Sequence, residues 1–178
     1  MEAQELPAEA PEMSDEGLAD TGLADSGESL EVWREGDIME VAAPLYLWPV
    51  MGELERGHNL ENLSYDVTLS DWRTHEGIDI VAPVGTAVTA AHCGTVESVF
   101  EDDLYGFTVV VDHGDGAKTI YSNLNEELSV TAGDWVEPGS AIGTIGESAI
   151  CEISQQEHLH FSITVDGKAV NPLNYLPA

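Results

Sequence analysis

Two short runs in this chain carry side chains that can hold a cation. The first is His75-Glu-Gly-Ile-Asp79, a His-x-x-x-Asp spacing; the second is His158-Leu-His160. In an extended strand side chains alternate faces, so His158 and His160 project from one face while Leu159, Phe161 and Ile163 turn to the other. His75 and Asp79 are four residues apart and share a side in either an extended or a helical backbone. Gly77 between them lets the chain pass close to whatever they hold. Two imidazoles and one carboxylate with an open fourth position fit a catalytic zinc site, in which the metal lowers the pKa of bound water to about 7. The remaining histidine of the pair is then placed to act as general base. Either run alone is commonplace. Together in one small β domain, each beside an apolar strand, they point to one shared site.

The elements that must position these groups are strands. Thr86–Ala91, Thr95–Phe100, Phe107–Asp112, Lys118–Tyr121 and His158–Val165 are rich in β-branched and aromatic residues, and glycines punctuate them. Asp166-Gly167 is a hairpin signal leading into Lys168-Ala-Val. No segment reads as a long amphipathic helix. The expectation is an all-β domain over 41–178, mainly antiparallel, a sandwich or open barrel.

The 178 residues hold 34 Asp+Glu against 5 Lys+Arg, a formal charge of −29. Nucleic acid and anionic membrane are thereby excluded as partners, since both would be repelled at every approach. Residues 1–40 carry 13 acids and one base, Arg34, with a near-repeat of Gly-Leu-Ala-Asp at 17 and 22. Such a stretch buries too little apolar area to offset its ordering entropy and reads as an acidic, disordered tail or linker. It lacks the basic start and apolar core of a secretory signal. The most apolar run, Val41–Met51, is too short to cross a bilayer and contains two prolines.

Several other residues invite a role. Cys93 and Cys151 lack Cys-x-x-Cys spacing and read as separate buried thiols. His92 and Cys93, as sequence neighbours, are expected on opposite strand faces, which argues against a joint metal site. His58 in a Gly-His-Asn loop is expected in solvent, and His113 in a hydrogen-bonded turn. Glu157 is expected to be a solvated carboxylate, and Tyr121 either lines a cleft or packs in the core.

Thr74–Ile80, the glycine-punctuated strands up to Gly146, and His158-Leu-His-Phe161 together resemble the lysostaphin/LytM family of zinc metallopeptidases. Supporting pieces are Val111–Gly116, Tyr121-Ser-Asn-Leu124, Gly133–Gly139 and Asn171–Tyr175. The likeness covers about Trp48 to Leu176. It implies the duplicated β motif of that family, cleavage of peptidoglycan stem peptides, and zinc held by His75, Asp79 and His160, with His158 handling protons. Leu69–His75 and the Asn171-Pro ending are most similar to the stage II sporulation protein Q branch. That branch implies an extracytoplasmic place in the envelope, facing the space between forespore and mother cell, and a protein partner of the stage III sporulation protein AH type.

One departure matters. The family has a second catalytic histidine in a Tyr-x-His-Leu segment, where this chain has Asn123. A carboxamide can donate a hydrogen bond to a developing oxyanion but cannot carry a proton near neutral pH. General acid–base help is worth about 10²–10⁴-fold, so the expectation is a zinc-binding domain with weak or no peptidase activity. The alternatives are an active endopeptidase using His158 as base and Asn123 as oxyanion donor, and a fold that holds no metal.

Overall fold

The computed structural model describes residues 46–178. The tail or linker expected over 1–40 and the start of the domain at 41 lie outside the described residues. In chain order the strands are β1 (Glu53–Arg56), β2 (Asn59–Asp66), β3 (Asp71–His75), β4 (Ile78–Val81), β5 (Ala87–Thr89) and β6 (Gly94–Asp102). They continue as β7 (Gly106–Asp112), β8 (Ala117–Leu124), β9 (Trp135–Val136), β10 (Ala141–Thr144), β11 (His158–Val165) and β12 (Lys168–Val170). Two single turns of 3₁₀ helix, Ile150–Glu152 and Pro172–Asn174, are the only helical pieces among the described residues.

The main sheet runs β1-β4-β11-β8-β7-β6-β9, with β12 folded back on β11, and every pairing is antiparallel. A ribbon of β5 and β10 covers one face of it. The core lies between them, with Val88 and Ile142 from the ribbon meeting Ile78, Ile80, Val109, Val111, Tyr121 and Phe161 from the sheet. The expected all-β antiparallel sandwich is what forms. No described helix is long and apolar enough to cross a membrane.

All five expected strands, β5, β6, β7, β8 and β11, form within three residues of the expected limits. At the Asp166-Gly167 turn both residues have positive φ, 51° and 74°, the type I′ geometry that matches strand twist. β1 and the β2–β3 hairpin were not legible as strands. Glu53–Asp66 is rich in Glu and Asn and mostly exposed on both faces, so no alternation marks it.

What matters for the site is where β11 sits. It lies in the middle of the sheet, between β4 and β8, and its register sets His160 opposite Asp79 on one side and Ser122 on the other. On the opposite face Leu159, Phe161 and Ile163 are completely buried. Each such side chain contributes about 1.5–3 kcal/mol by leaving water, and that anchoring fixes which way the two histidines point.

Candidate metal centre

β3 ends at His75, the chain turns through Glu76-Gly77, and β4 begins at Ile78. The His-x-x-x-Asp run is therefore a strand–turn–strand, neither helix nor one continuous strand. The turn presses against β11: a Cβ on Gly77 would lie 2.6 Å from the Phe161 carbonyl oxygen and 2.9 Å from His160 Nε2. Only glycine fits there, so what the chain passes closely is the partner strand and the imidazole it carries.

His75, Asp79 and His160 converge and are buried. His160 Nδ1 lies 2.8 Å from Asp79 Oδ1 and 3.3 Å from His75 Nε2, and His75 Nε2 lies 3.2 Å from the same carboxylate oxygen. Zinc bonds of about 2.0–2.1 Å in a tetrahedron give edges of about 3.3 Å between ligand atoms, so the spacing suits such an ion. The protons fit as well. His75 Nδ1 donates to the Gly57 carbonyl at 3.1 Å, which leaves the Nε2 lone pair facing inward. Asp79 Oδ2 is buried without any hydrogen-bond partner, an orphan that a cation would satisfy.

A fourth residue, and second carboxylate, Glu152, joins this group. It is buried, and one ligand atom from each of His75, Asp79, Glu152 and His160 lies within 4.8 Å of the other three. Its Oε1 is 3.6 Å from His160 Nδ1, and its Oε2 is 3.1 Å from His158 Nε2. The sequence reading missed it. Glu152 sits on an isolated 3₁₀ turn, one of 34 acidic residues, and no periodicity distinguishes it.

His158 is held on both ring nitrogens, by the Gln156 carbonyl at 2.6 Å and by Glu152. It therefore stands beside the cluster with its ring anchored. Asn123 adopts a left-handed backbone, φ 62°, and is buried. Its Nδ2 donates to the His158 carbonyl at 2.9 Å and its Oδ1 accepts from the Ala149 amide at 3.0 Å. The carboxamide is thus a strut between β11 and the turn that carries Glu152. Tyr105, which the sequence reading did not single out, lays its ring against His160 with centroids 4.9 Å apart. It lines a groove on that side with Glu76, Thr108 and Ser122.

The remaining singled-out residues lie elsewhere. Tyr121 is entirely core, its hydroxyl accepting from the Ala91 amide. His113 bonds the Cys93 carbonyl and Thr119. His92 and Cys93 do not point apart: they sit in a bend, not a strand, with Nδ1 3.6 Å from Sγ. His58 is half-buried rather than in open solvent, with Nδ1 2.7 Å from the Glu76 carbonyl oxygen. Glu157 is exposed and accepts from the Val84 amide. Both cysteines are free, Cys151 buried and Cys93 only half so.

The charges reinforce one another. Burial alone would push the Asp79 carboxyl up, yet hydrogen bonds from His160 and His75 outweigh it and hold it well below the usual carboxylate range. Burial would push the His158 imidazole down, but the Glu152 carboxylate and the charge of Asp79 raise it to about 9. His160 is raised against its burial by Asp79. A raised folded pKa gives stability that is complete below the ordinary value of about 6.5 and is lost as pH climbs through the folded one. In the presence of a chelator, the melting temperature is therefore expected to fall between pH 6.5 and about 9, and Glu152→Gln to flatten that slope. A level wild-type profile would show that His158 folds uncharged.

Residues 73–172 match Peptidase family M23, a stretch that runs from β3 to past β12 and contains every residue of the cluster. The chain belongs to Peptidase family M23. Among similar proteins, stage II sporulation protein Q of Bacillus subtilis (strain 168) is 40% identical over 103 residues, 57% of this chain and 36% of that protein. The DD-carboxypeptidase/endopeptidase Mpg of Neisseria meningitidis is 35% identical over 106 residues, 60% of this chain and 24% of Mpg. The chain therefore spans about a third or less of the length of these relatives. A chain of the SpoIIQ–SpoIIIAH pore-forming complex superposes with a TM-score of 0.64 at 28% identity, covering 75% of this chain and 92% of that one.

Proposed function

We propose that this M23 domain holds one zinc ion through His75, Asp79 and His160, has at most feeble peptidase activity, and serves to dock a protein partner in the cell envelope. The observation that carries this reading is Asn123. It stands where the resemblance led us to expect a proton-carrying histidine, and its carboxamide is spent on main-chain bonds to His158 and Ala149. Zinc bound here would supply a Lewis acid. His158 would supply a proton-handling group, and no second imidazole stands beside it on β8.

The partner-docking part rests on likeness to stage II sporulation protein Q and to its complex with SpoIIIAH. By the same likeness the partner is a protein of the stage III sporulation protein AH type, and the place is the space between forespore and mother cell. A −29 chain favours encounter with a basic partner face at low salt.

The second reading, an active endopeptidase cleaving peptidoglycan cross-links, is favoured by the likeness to Mpg and by the anchored His158. A digestion assay decides between them. Zinc-loaded protein incubated with peptidoglycan is expected to release no more stem peptide than His160→Ala does. Robust release that disappears in His160→Ala would overturn the docking reading and establish the enzyme.

A further inference from the structure

We infer that Glu152 is a fourth protein ligand, so that the metal centre is closed and leaves no position for water or substrate. The inference rests on the proposed metal site and adds to it the reason for its inertness.

Glu152 is a buried carboxylate on the 3₁₀ turn Ile150–Glu152, and its only ionic partners among the described residues are His158 and His160. No Lys or Arg among the described residues pairs with it. Those two imidazoles are the counter-charges it faces, and a divalent ion among three neighbouring ligands would hold it more strongly. The two oxygens divide the work: Oε1 faces the ligand nitrogen of His160, and Oε2 is held by His158. Ligating carboxylates are characteristically supported by such a second hydrogen bond. Four protein ligands are the mark of a structural zinc site, whereas a catalytic one keeps a position open.

The turn bearing Glu152 is fixed from two sides. The Ala149 amide donates to Asn123 Oδ1, and the Cys151 amide donates to the Leu104 carbonyl at 3.1 Å. Asn123 thus does two things at once: it withholds a proton carrier, and it clamps the segment that presents Glu152 to the metal. Asn123 is a positioning residue for that ligand.

The test uses the full chain stripped of metal and reloaded with cobalt(II), whose visible spectrum reports coordination, with azide as the probe of an open position. Wild type is expected to bind one equivalent of cobalt with a four-coordinate spectrum that azide does not change. Glu152→Ala is expected to become azide-responsive and to lose more zinc affinity, by chelator competition, than the 10–100-fold that loss of outer support costs. Asn123→Ala is expected to show partial azide response. A saturable azide shift in wild type, which needs no variant, would overturn the closed site while leaving the zinc reading intact. Unchanged zinc affinity in both Glu152→Ala and the isosteric Glu152→Gln would do the same. Failure of wild type to bind metal, or retention of a full equivalent by His75→Ala, would instead remove the metal site itself.

Discussion

Alanine at position 160 is expected to leave the chain unable to retain a metal ion and to cost about 3–5 kcal/mol of stability in the metal-free state. Asp79 is completely buried, and His160 is its shortest hydrogen-bond partner, at 2.8 Å. Without the imidazole, one carboxylate oxygen keeps only His75 at 3.2 Å, and the other has no partner already. Breaking a buried pair from one side is expensive because the remaining charge stays out of water. Tyr105 loses the ring it packs on as well. Denaturant melts with zinc and with chelator measure both effects. Wild type should gain stability from zinc, by about 2.7 kcal/mol once the free ion reaches a hundred times the dissociation constant. The variant should gain nothing. A zinc-dependent rise in His160→Ala would show that the remaining three groups suffice.

One residue further along β11, Phe161→Ala is expected to cost a similar amount, about 3–5 kcal/mol, for an unrelated reason. The ring is completely buried on the opposite face of the strand, 5.3 Å from the ring of Tyr121, and its loss leaves a cavity between sheet and ribbon. The signature that separates the two variants is the metal increment. Phe161→Ala should be weakened equally with and without zinc, so the difference between its two melts should match wild type. A reduced difference would mean that the core face and the ligand face of β11 are not independent.

That contrast also shows what the sequence could reveal. Alternation along His158–Val165 placed three residues in the core and two imidazoles on the other face, because a strand with both faces buried still obeys the two-residue period. The run from His75 to Asp79 was legible as chemistry, although the turn at Glu76-Gly77 that separates its two ends was not. Glu152 was not legible at all. Its burial depends on a turn pinned by Asn123 of β8 and Leu104 of the turn between β6 and β7, and nothing local distinguishes it from the many solvated acids. The identity of Asn123 flagged a departure, but its work as a strut depends on a left-handed backbone that only the tertiary bonds to Ala149 and His158 select. His92 and Cys93 were misread for a simpler reason: alternation was applied where the chain bends and is no longer a strand.

The place of β11 has a consequence for biosynthesis. A ribosome makes His75 and Asp79 first, and His160 follows 85 positions after His75. The last long strand is also the one that fills the slot between β4 and β8. Until translation reaches it, the emerging polypeptide has two half-sheets with unpaired edges and an incomplete chelating set. Completion of the candidate metal-binding cluster and closure of the sheet are therefore late, coupled events that await release of nearly the whole domain. A nascent fragment ending before residue 158 holds His75, Asp79 and Glu152 but lacks both imidazoles of β11.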